Sequence, residues 1–230
     1  MLQLIRVRPS EWAAGIKMPQ GGSIFGYSQL PVDHPRGHIL NTSRIKIRGL
    51  TSADAAAYRD IRLAGLKESP EAFGSTFGRE NAQPLAWFSD RLRNFQVFGA
   101  FRATDLLGIA GFVVREGEKE RHKGLLWGMY VRPDARKTGV GRRLVEAVID
   151  FARQRVELLQ LSVVSDNEPA RRLYARLGFV EYGVEKNSLK HDGRYYDEIL
   201  MALDLMPDAG QFAIRMQRTD AAQFEEEFAK

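Results

Sequence analysis

Residues 129–144 read MYVRPDARKTGVGRRL: the end of an apolar run, a proline, a basic loop with two glycines, and the start of a striped helix. The order strand, short loop, Gly139-Val140-Gly141, helix sets how the rest of the chain is parsed. Glycine lets a backbone approach a ligand closely. A helix start offers N–H groups that have no intrahelical acceptor, at the positive end of the helix dipole. Together they predict an anion site of pyrophosphate size. A Walker A loop needs G-x-x-x-x-G-K-[ST], which residues 136–141 (RKTGVG) do not supply. A dinucleotide fingerprint needs a third glycine where Leu144 stands, and no strand–helix–strand unit opens the chain. Charge agrees with an anion site. Residues 132–155 hold seven basic side chains (Arg132, Arg136, Lys137, Arg142, Arg143, Arg153, Arg155) and three acidic ones (Asp134, Glu146, Asp150), +4 of the formal +5 of the whole chain. Such a run is ordinarily a solvated helix face; two glycines flanked by four of these cations turn the reading toward phosphate.

Working outward, residues 141–156 carry Leu144, Val145, Val148, Ile149, Ala152 and Val156 on one helical stripe. Residues 158–164 (LLQLSVV) read as a short buried strand. Residues 167–177 read as a helix with Asn167 as N-cap and Gly178 after its end. A hairpin follows over 179–189 and 195–205, turning at His191-Asp192-Gly193. Upstream, strands are predicted over 95–102, 106–115 and 124–131, the last two joined by the charged turn 116–123 (EGEKERHK). Before them stand a helix over 84–94, a helix ending near Ser69-Pro70 with Thr51 or Ser52 as cap, and a first strand over 44–50. The order predicts one mixed α/β, or α+β, domain over about 44–205. Residues 1–43 hold Gly21-Gly22, Pro19, Pro31, Pro35 and Gly37 and read as a loop-rich extension whose Trp12, Phe25 and Tyr27 could pack on the body or a second copy; residues 206–230 form a C-terminal extension.

Residues 136–141 fit the Arg/Gln-x-x-Gly-x-Gly/Ala signature of the GNAT superfamily of N-acetyltransferases. Residues 167–179 (NEPARRLYARLGF) resemble that family's Asn-x-x-Ala-x-x-Leu-Tyr-x-x-x-Gly-Phe helix, with one helix and one strand between the two motifs. Residues 62–74 (RLAGLKESPEAFG) look like the end of the first helix of many bacterial members. The resemblance covers about 44–205. It implies a central, mostly antiparallel sheet of six to seven strands flanked by helices, with central strands that splay apart, and acetyl-coenzyme A as acyl donor. Pantetheine would pair with the backbone of Met129, Tyr130 and Val131. Arg136, Lys137, Thr138, Gly139, Val140, Gly141 and Arg142 would cradle the pyrophosphate, and Asn167 would contact pantetheine beside its capping role. Tyr174 would protonate the leaving thiolate, although its spacing with Ala170, Leu173 and Leu177 also suits a core aromatic. The acceptor would be a primary amine on a small molecule or a protein. Residues 69–77, Trp87 and residues 195–198 are the expected pocket walls. No carboxylate stands in 125–130 (LLWGMY), so a general base is not assigned; Glu71, Glu116, Asp166, Glu198 and His122 are the candidates.

Composition narrows the rest. Zero cysteine among 230 residues excludes disulfides, thiolate-held metal and a thiol nucleophile. Four histidines (34, 38, 122, 191), with no H-E-x-x-H motif and the one H-x-x-x-H pair (His34, His38) broken by Pro35 and Gly37, predict no metal site. No run of about 18 apolar residues predicts a span, and MLQLIRVRPSEWAAG has no long apolar core of a secretory leader, so a cytoplasmic, membrane-free protein is expected. Two other classes fit the residues: a catalytically silent coenzyme A-binding protein, favoured by the missing strand carboxylate, and a basic nucleic-acid module. The second is disfavoured because a Gly-x-Gly helix start suits a small cofactor's phosphates better than a duplex.

Overall fold

The computed structural model describes residues 45–206. The loop-rich extension expected over 1–43, and the C-terminal segment from 207 on, lie outside the described residues. In chain order the elements are β1 (Lys46–Gly49), α1 (Ala55–Glu68), α2 (Phe77–Asn81), α3 (Leu85–Asn94), β2 (Gln96–Arg102), β3 (Asp105–Val114), β4 (Lys123–Val131), α4 (Val140–Ala152), β5 (Leu158–Val164), α5 (Glu168–Arg176), β6 (Val180–His191) and β7 (Arg194–Asp204). This is the α+β order expected. One element escaped the sequence reading: α2, five residues with Thr76 Oγ1 accepting from Arg79 N–H at 3.3 Å, is too short to show a period.

The strands form one seven-stranded sheet in the order β1-β2-β3-β4-β5-β7-β6. Every neighbouring pair is antiparallel except β4 with β5, which run parallel. That parallel pair is also the weak seam. It pairs only Lys123, Gly124 and Leu125 with Leu158, Leu159 and Gln160. Both strands continue past this point, to Val131 and Val164, without pairing to each other, so they splay apart at their C-terminal ends.

Helices cover both faces, as period-2 strands buried on two sides require. On one face α4 lays Leu144, Val145, Val148, Ile149 and Ala152 onto Leu107, Phe112, Leu126, Leu159, Leu161 and Met201. On the other, α1 and α3 bring Tyr58, Ile61, Phe88 and Leu92 onto Val97, Phe101, Ile109 and Tyr130. At roughly 1.5–3 kcal/mol for each fully buried large side chain, these two cores hold the layers together. Turn chemistry fixes the registers. Asp192 and Gly193 both have positive φ (46° and 79°), the pairing that a two-residue hairpin turn needs.

Candidate functional site

The gap between β4 and β5 is flanked by two helix starts. α4 begins just beyond the C-terminal end of β4 and α5 just beyond that of β5. Gly139 is the N-cap of α4 with φ 85°, a left-handed conformation that strains any residue with a side chain. A Cβ placed there would meet nothing within 4 Å, so the loop opens onto free space. The first bond of the turn runs from Arg143 N–H to Gly139 O at 3.1 Å, which leaves the preceding N–H groups of the helix start without intrahelical acceptors. Lys137, at φ 62°, lets the loop turn back, and Thr138 Oγ1 donates to Ala135 O at 2.7 Å. Across the gap, Asn167 Oδ1 accepts from Ala170 N–H at 3.3 Å and caps α5 as read from sequence. The glycine loop, β4 and the α5 cap are thus brought to one opening.

Within β4 the register slips. Ile109 faces Tyr130 while Gly111 faces Trp127, so Gly128 and Met129 together oppose Ala110. This is a bulge, and Gly128 carries it with φ 62°. The bulge lies beyond Leu125, where β4 is paired with β3 but no longer with β5. An isolated glycine in a strand is its only sequence signal.

The bulge separates side chains to opposite faces. Met129 turns toward α4 and α5, where a Cβ on Gly141 would lie 3.2 Å from its Cε. Tyr174 reaches it from α5: the hydroxyl donates to Met129 Sδ at 3.3 Å. Tyr174 is only 6% exposed and packs edge-on against Phe179 at 5.7 Å. Burial pushes its pKa well above the ordinary phenol value, so the hydroxyl keeps its proton at neutral pH. The core-aromatic reading of Tyr174 therefore holds. It is a core residue whose hydroxyl reaches β4 at Met129.

Tyr130 faces the other way. It is buried against α1 and donates to Glu68 Oε2 at 2.7 Å. Burial first, then that bond to a carboxylate, raises its pKa to about 12. Only its backbone stays at the gap. Arg136 also has partners within the chain: its Nε donates to Val131 O at 3.0 Å, and its guanidinium forms an ion pair with Glu68. Glu68, which the sequence reading did not single out, thus ties the end of α1 to β4 and the loop. Arg142 is exposed and pairs along its helix with Glu146 at 2.7 Å.

The five candidate bases scatter. His122 and Glu116 sit at the β3–β4 turn, the closed end of the seam, where His122 O accepts from Glu157 N–H at 2.8 Å. Asp166 is exposed and pairs with Arg194 at 3.3 Å. Glu71 lies on the short turn Pro70–Ala72, which packs toward β5 and β6. Glu198, opposite Val164 at the open end, accepts from Ser162 Oγ at 2.8 Å and Ser188 Oγ at 2.7 Å.

Beside the bulge, the α1–α3 side holds charges that read as surface residues in the sequence. Arg62 and Glu80 are both buried and joined by two bonds, Nε to Oε2 at 3.0 Å and Nη2 to Oε1 at 2.8 Å. Burial opposes charge on both, but each is held more firmly charged by the other. Arg91, also buried, lies 4.7 Å from the Trp87 ring and 5.1 Å from that of Trp127. Among the described residues no group of His, Asp and Glu is arranged to hold a metal ion, and no helix is long and apolar enough to cross a membrane.

Residues 63–179 match the Acetyltransferase (GNAT) family, and the chain belongs to that family. It is 30% identical over 165 residues to the L-methionine sulfoximine/L-methionine sulfone acetyltransferase of Pseudomonas aeruginosa, covering 64% of this chain and 95% of that protein. N-alpha-acetyltransferase RimI of Mycobacterium tuberculosis is 29% identical over 153 residues, covering 66% of this chain and 89% of its own. Among solved structures, the ribosomal-protein-alanine N-acetyltransferase of Brucella melitensis superposes with a TM-score of 0.59 at 27% identity, over 69% of this chain and 99% of that one. A Salmonella typhimurium structure with its cofactor acetyl-CoA gives 0.61 at 26% identity, over 71% and 95%. The chain is a GNAT N-acetyltransferase with that family's sheet.

Proposed function

We propose that the protein moves an acetyl group from acetyl-CoA to a primary amine by direct attack. The observation that carries this is the opening itself: an arm of β4 with a bulge and a free edge toward β5, lying between two helix starts, with a protonated phenol against it. Pantetheine adds to the free edge of β4 at Met129, Tyr130 and Val131, and Asn167 flanks it. The loop from Arg136 to Gly141 and the start of α4 at Arg142 take the pyrophosphate, mainly through backbone N–H groups, because Arg136 is already committed to Glu68.

The amine nitrogen bonds to the thioester carbon, and the carbonyl oxygen becomes an oxyanion held by backbone N–H at the bulge. The C–S bond then breaks and coenzyme A leaves as thiolate. A thiol titrates near 8.5, below the raised Tyr174 phenol, so full proton transfer from Tyr174 is uphill. Its contribution is a hydrogen bond donated to the departing sulfur, which stabilises the thiolate as it forms and is worth about 10²-fold. The proton lost by the amine passes to Glu198, the candidate carboxylate at the open end on the face away from α4 and α5. The relatives' names span amino-acid derivatives and protein α-amines, and both are amine acceptors of the proposed kind.

The test is coenzyme A release from acetyl-CoA with L-methionine sulfoximine, an alanine-starting peptide, a lysine-containing peptide and spermidine. Release that depends on one amine is expected. Stabilisation by acetyl-CoA with no release from any amine would make the protein a silent cofactor-binding member instead.

A further inference from the structure

The residues behind the bulge have one feature that packing does not require. Arg62 spends two of its nitrogens on Glu80, while Nη1 is buried with no hydrogen-bond partner among the described residues. Arg91 Nε is in the same condition. A buried donor left without a partner is costly, and a native chain that keeps two in one cluster needs a reason. Position supplies one. A Cβ placed on Gly128 would lie 3.6 Å from Arg62 Nη1, so nothing but the bulge backbone separates this cation from the arm of β4.

The charge there does not cancel. Two guanidiniums, Arg62 from α1 and Arg91 from α3, stand with one carboxylate, Glu80 from α2, a surplus of one positive charge within the cluster; Glu198 on β7, the proposed proton acceptor, is bonded to Ser162 and Ser188 and not to either guanidinium. Strands β3 and β4 bring no compensation, since residues 106–114 and 124–131 contain no charged side chain. Along α1, Tyr58 adds a neutral phenol, Arg59 turns out to Asn81 at 3.0 Å, and Glu68 is engaged by Tyr130 and Arg136. Asp54, near the start of α1, is engaged by Arg48 at 2.7 Å. The rings of Phe73, 4.9 Å from Arg62, and of Trp87 and Trp127 around Arg91 keep the cluster in a poorly screened environment.

We propose that Arg62, oriented by Glu80 and backed by Arg91, is an electrostatic positioning residue for acetyl transfer, acting through the Gly128 bulge on the reacting atoms rather than by contact. A positive charge behind the bulge has two consequences for chemistry in front of it. It favours the oxyanion that forms on the thioester oxygen. It also disfavours the ammonium form of the acceptor, so the bound amine loses its proton at lower pH than it does in water. The second effect bears on a gap in the sequence reading: the β4 arm carries no carboxylate, and the structure sets a cation behind it instead. This inference rests on acetyl transfer occurring at the bulge.

The test is the pH profile of kcat with acetyl-CoA and the most active amine of the panel above, because kcat reports groups in the bound complex. Removing a cation raises the pKa of the bound amine, so the acidic limb moves up. Arg62→Gln takes the cluster from +1 to zero, and the limb should rise by about one pH unit with kcat at pH 7 down about tenfold. Arg62→Lys keeps the charge and should leave the limb in place. Glu80→Gln adds to the surplus and should move the limb down. If Glu80→Gln does not fold, Arg91→Gln takes its place and must move the limb up, as Arg62→Gln does. Acetyl-CoA affinity should be unchanged in every folded variant. Limbs that all stay put, or that move together regardless of charge, overturn the proposal while amine-dependent turnover leaves acetyl transfer standing. Absence of turnover with any amine in the unaltered protein overturns both.

Discussion

The two sides of the splayed seam are built on different principles. On the α4–α5 side, the proposed donor site is made of backbone: a glycine loop, two helix starts and an open strand edge, with one hydroxyl added. The α1–α3 side is made of side chains, a buried Arg62–Glu80 pair, Arg91 and a wall of aromatic rings. Backbone recognition suits a donor whose pyrophosphate and amide groups never vary. Side-chain recognition suits an acceptor that differs among family members. The difference also predicts how each side fails when altered.

The largest loss is expected on the side-chain side and in stability. Glu80→Ala leaves Arg62 buried without its counter-charge, a change that costs about 3–5 kcal/mol. At about 2–4 °C of Tm per kcal/mol for a domain of this size, thermal unfolding should fall by roughly ten degrees. A melt within two degrees of the parent would show that the pair is not the anchor of this side.

Next comes the backbone side, where loss should appear in binding and not in folding. Gly139→Glu puts a carboxylate on the loop at a left-handed φ of 85°, facing open space. Acetyl-CoA affinity should fall by at least about 100-fold through repulsion of the phosphates, with only about 1 kcal/mol of strain in stability. Calorimetric titration of the folded variant measures this, and wild-type affinity would remove the pyrophosphate assignment.

A smaller effect separates the roles within the seam. Tyr174→Phe keeps the ring and its contact with Phe179, so stability and acetyl-CoA affinity should hardly move. The hydrogen bond to the leaving sulfur is lost, and kcat should drop about 10- to 100-fold where chemistry limits the rate. An unchanged kcat would return Tyr174 to packing alone.

The smallest effect lies away from the site. Arg48 holds the carboxyl of Asp54 down to about 2, against an ordinary 3.8. The folded state thus binds this proton less readily than the unfolded one. Its stabilisation is present above about pH 4 and is lost as pH falls toward 2. Asp54→Asn should flatten the acid limb of the stability curve in that window, measured by denaturant unfolding at several pH values, and leave the neutral-pH profile of turnover untouched.

Most of the proposed donor side was legible in the sequence. Gly139, Gly141, Asn167 and Tyr174 occur at fixed spacings within single local segments, and caps and left-handed turns are set by neighbours in the chain. The strand over 158–164 and the charged turn before β4 were legible for the same reason. Little of the acceptor side was. Arg62 and Glu80 are 18 residues apart on two helices, and a charged residue on a helix reads as solvated until its partner is seen. Glu68 and Arg136, 68 positions apart, were equally invisible as a pair.

What the sequence determined by itself was the order of elements, the glycine loop before α4 and the family signature, because each depends on residues a few positions apart. Only tertiary structure decided that β4 and β5 part after Leu125, that Tyr130 turns to Glu68 while Tyr174 reaches Met129, and that Arg62 is buried with Glu80 behind Gly128 with Arg91 buried nearby. The physical reason is range: capping and turn conformation are local interactions, whereas burial and charge balance depend on which distant segments the sheet packs together.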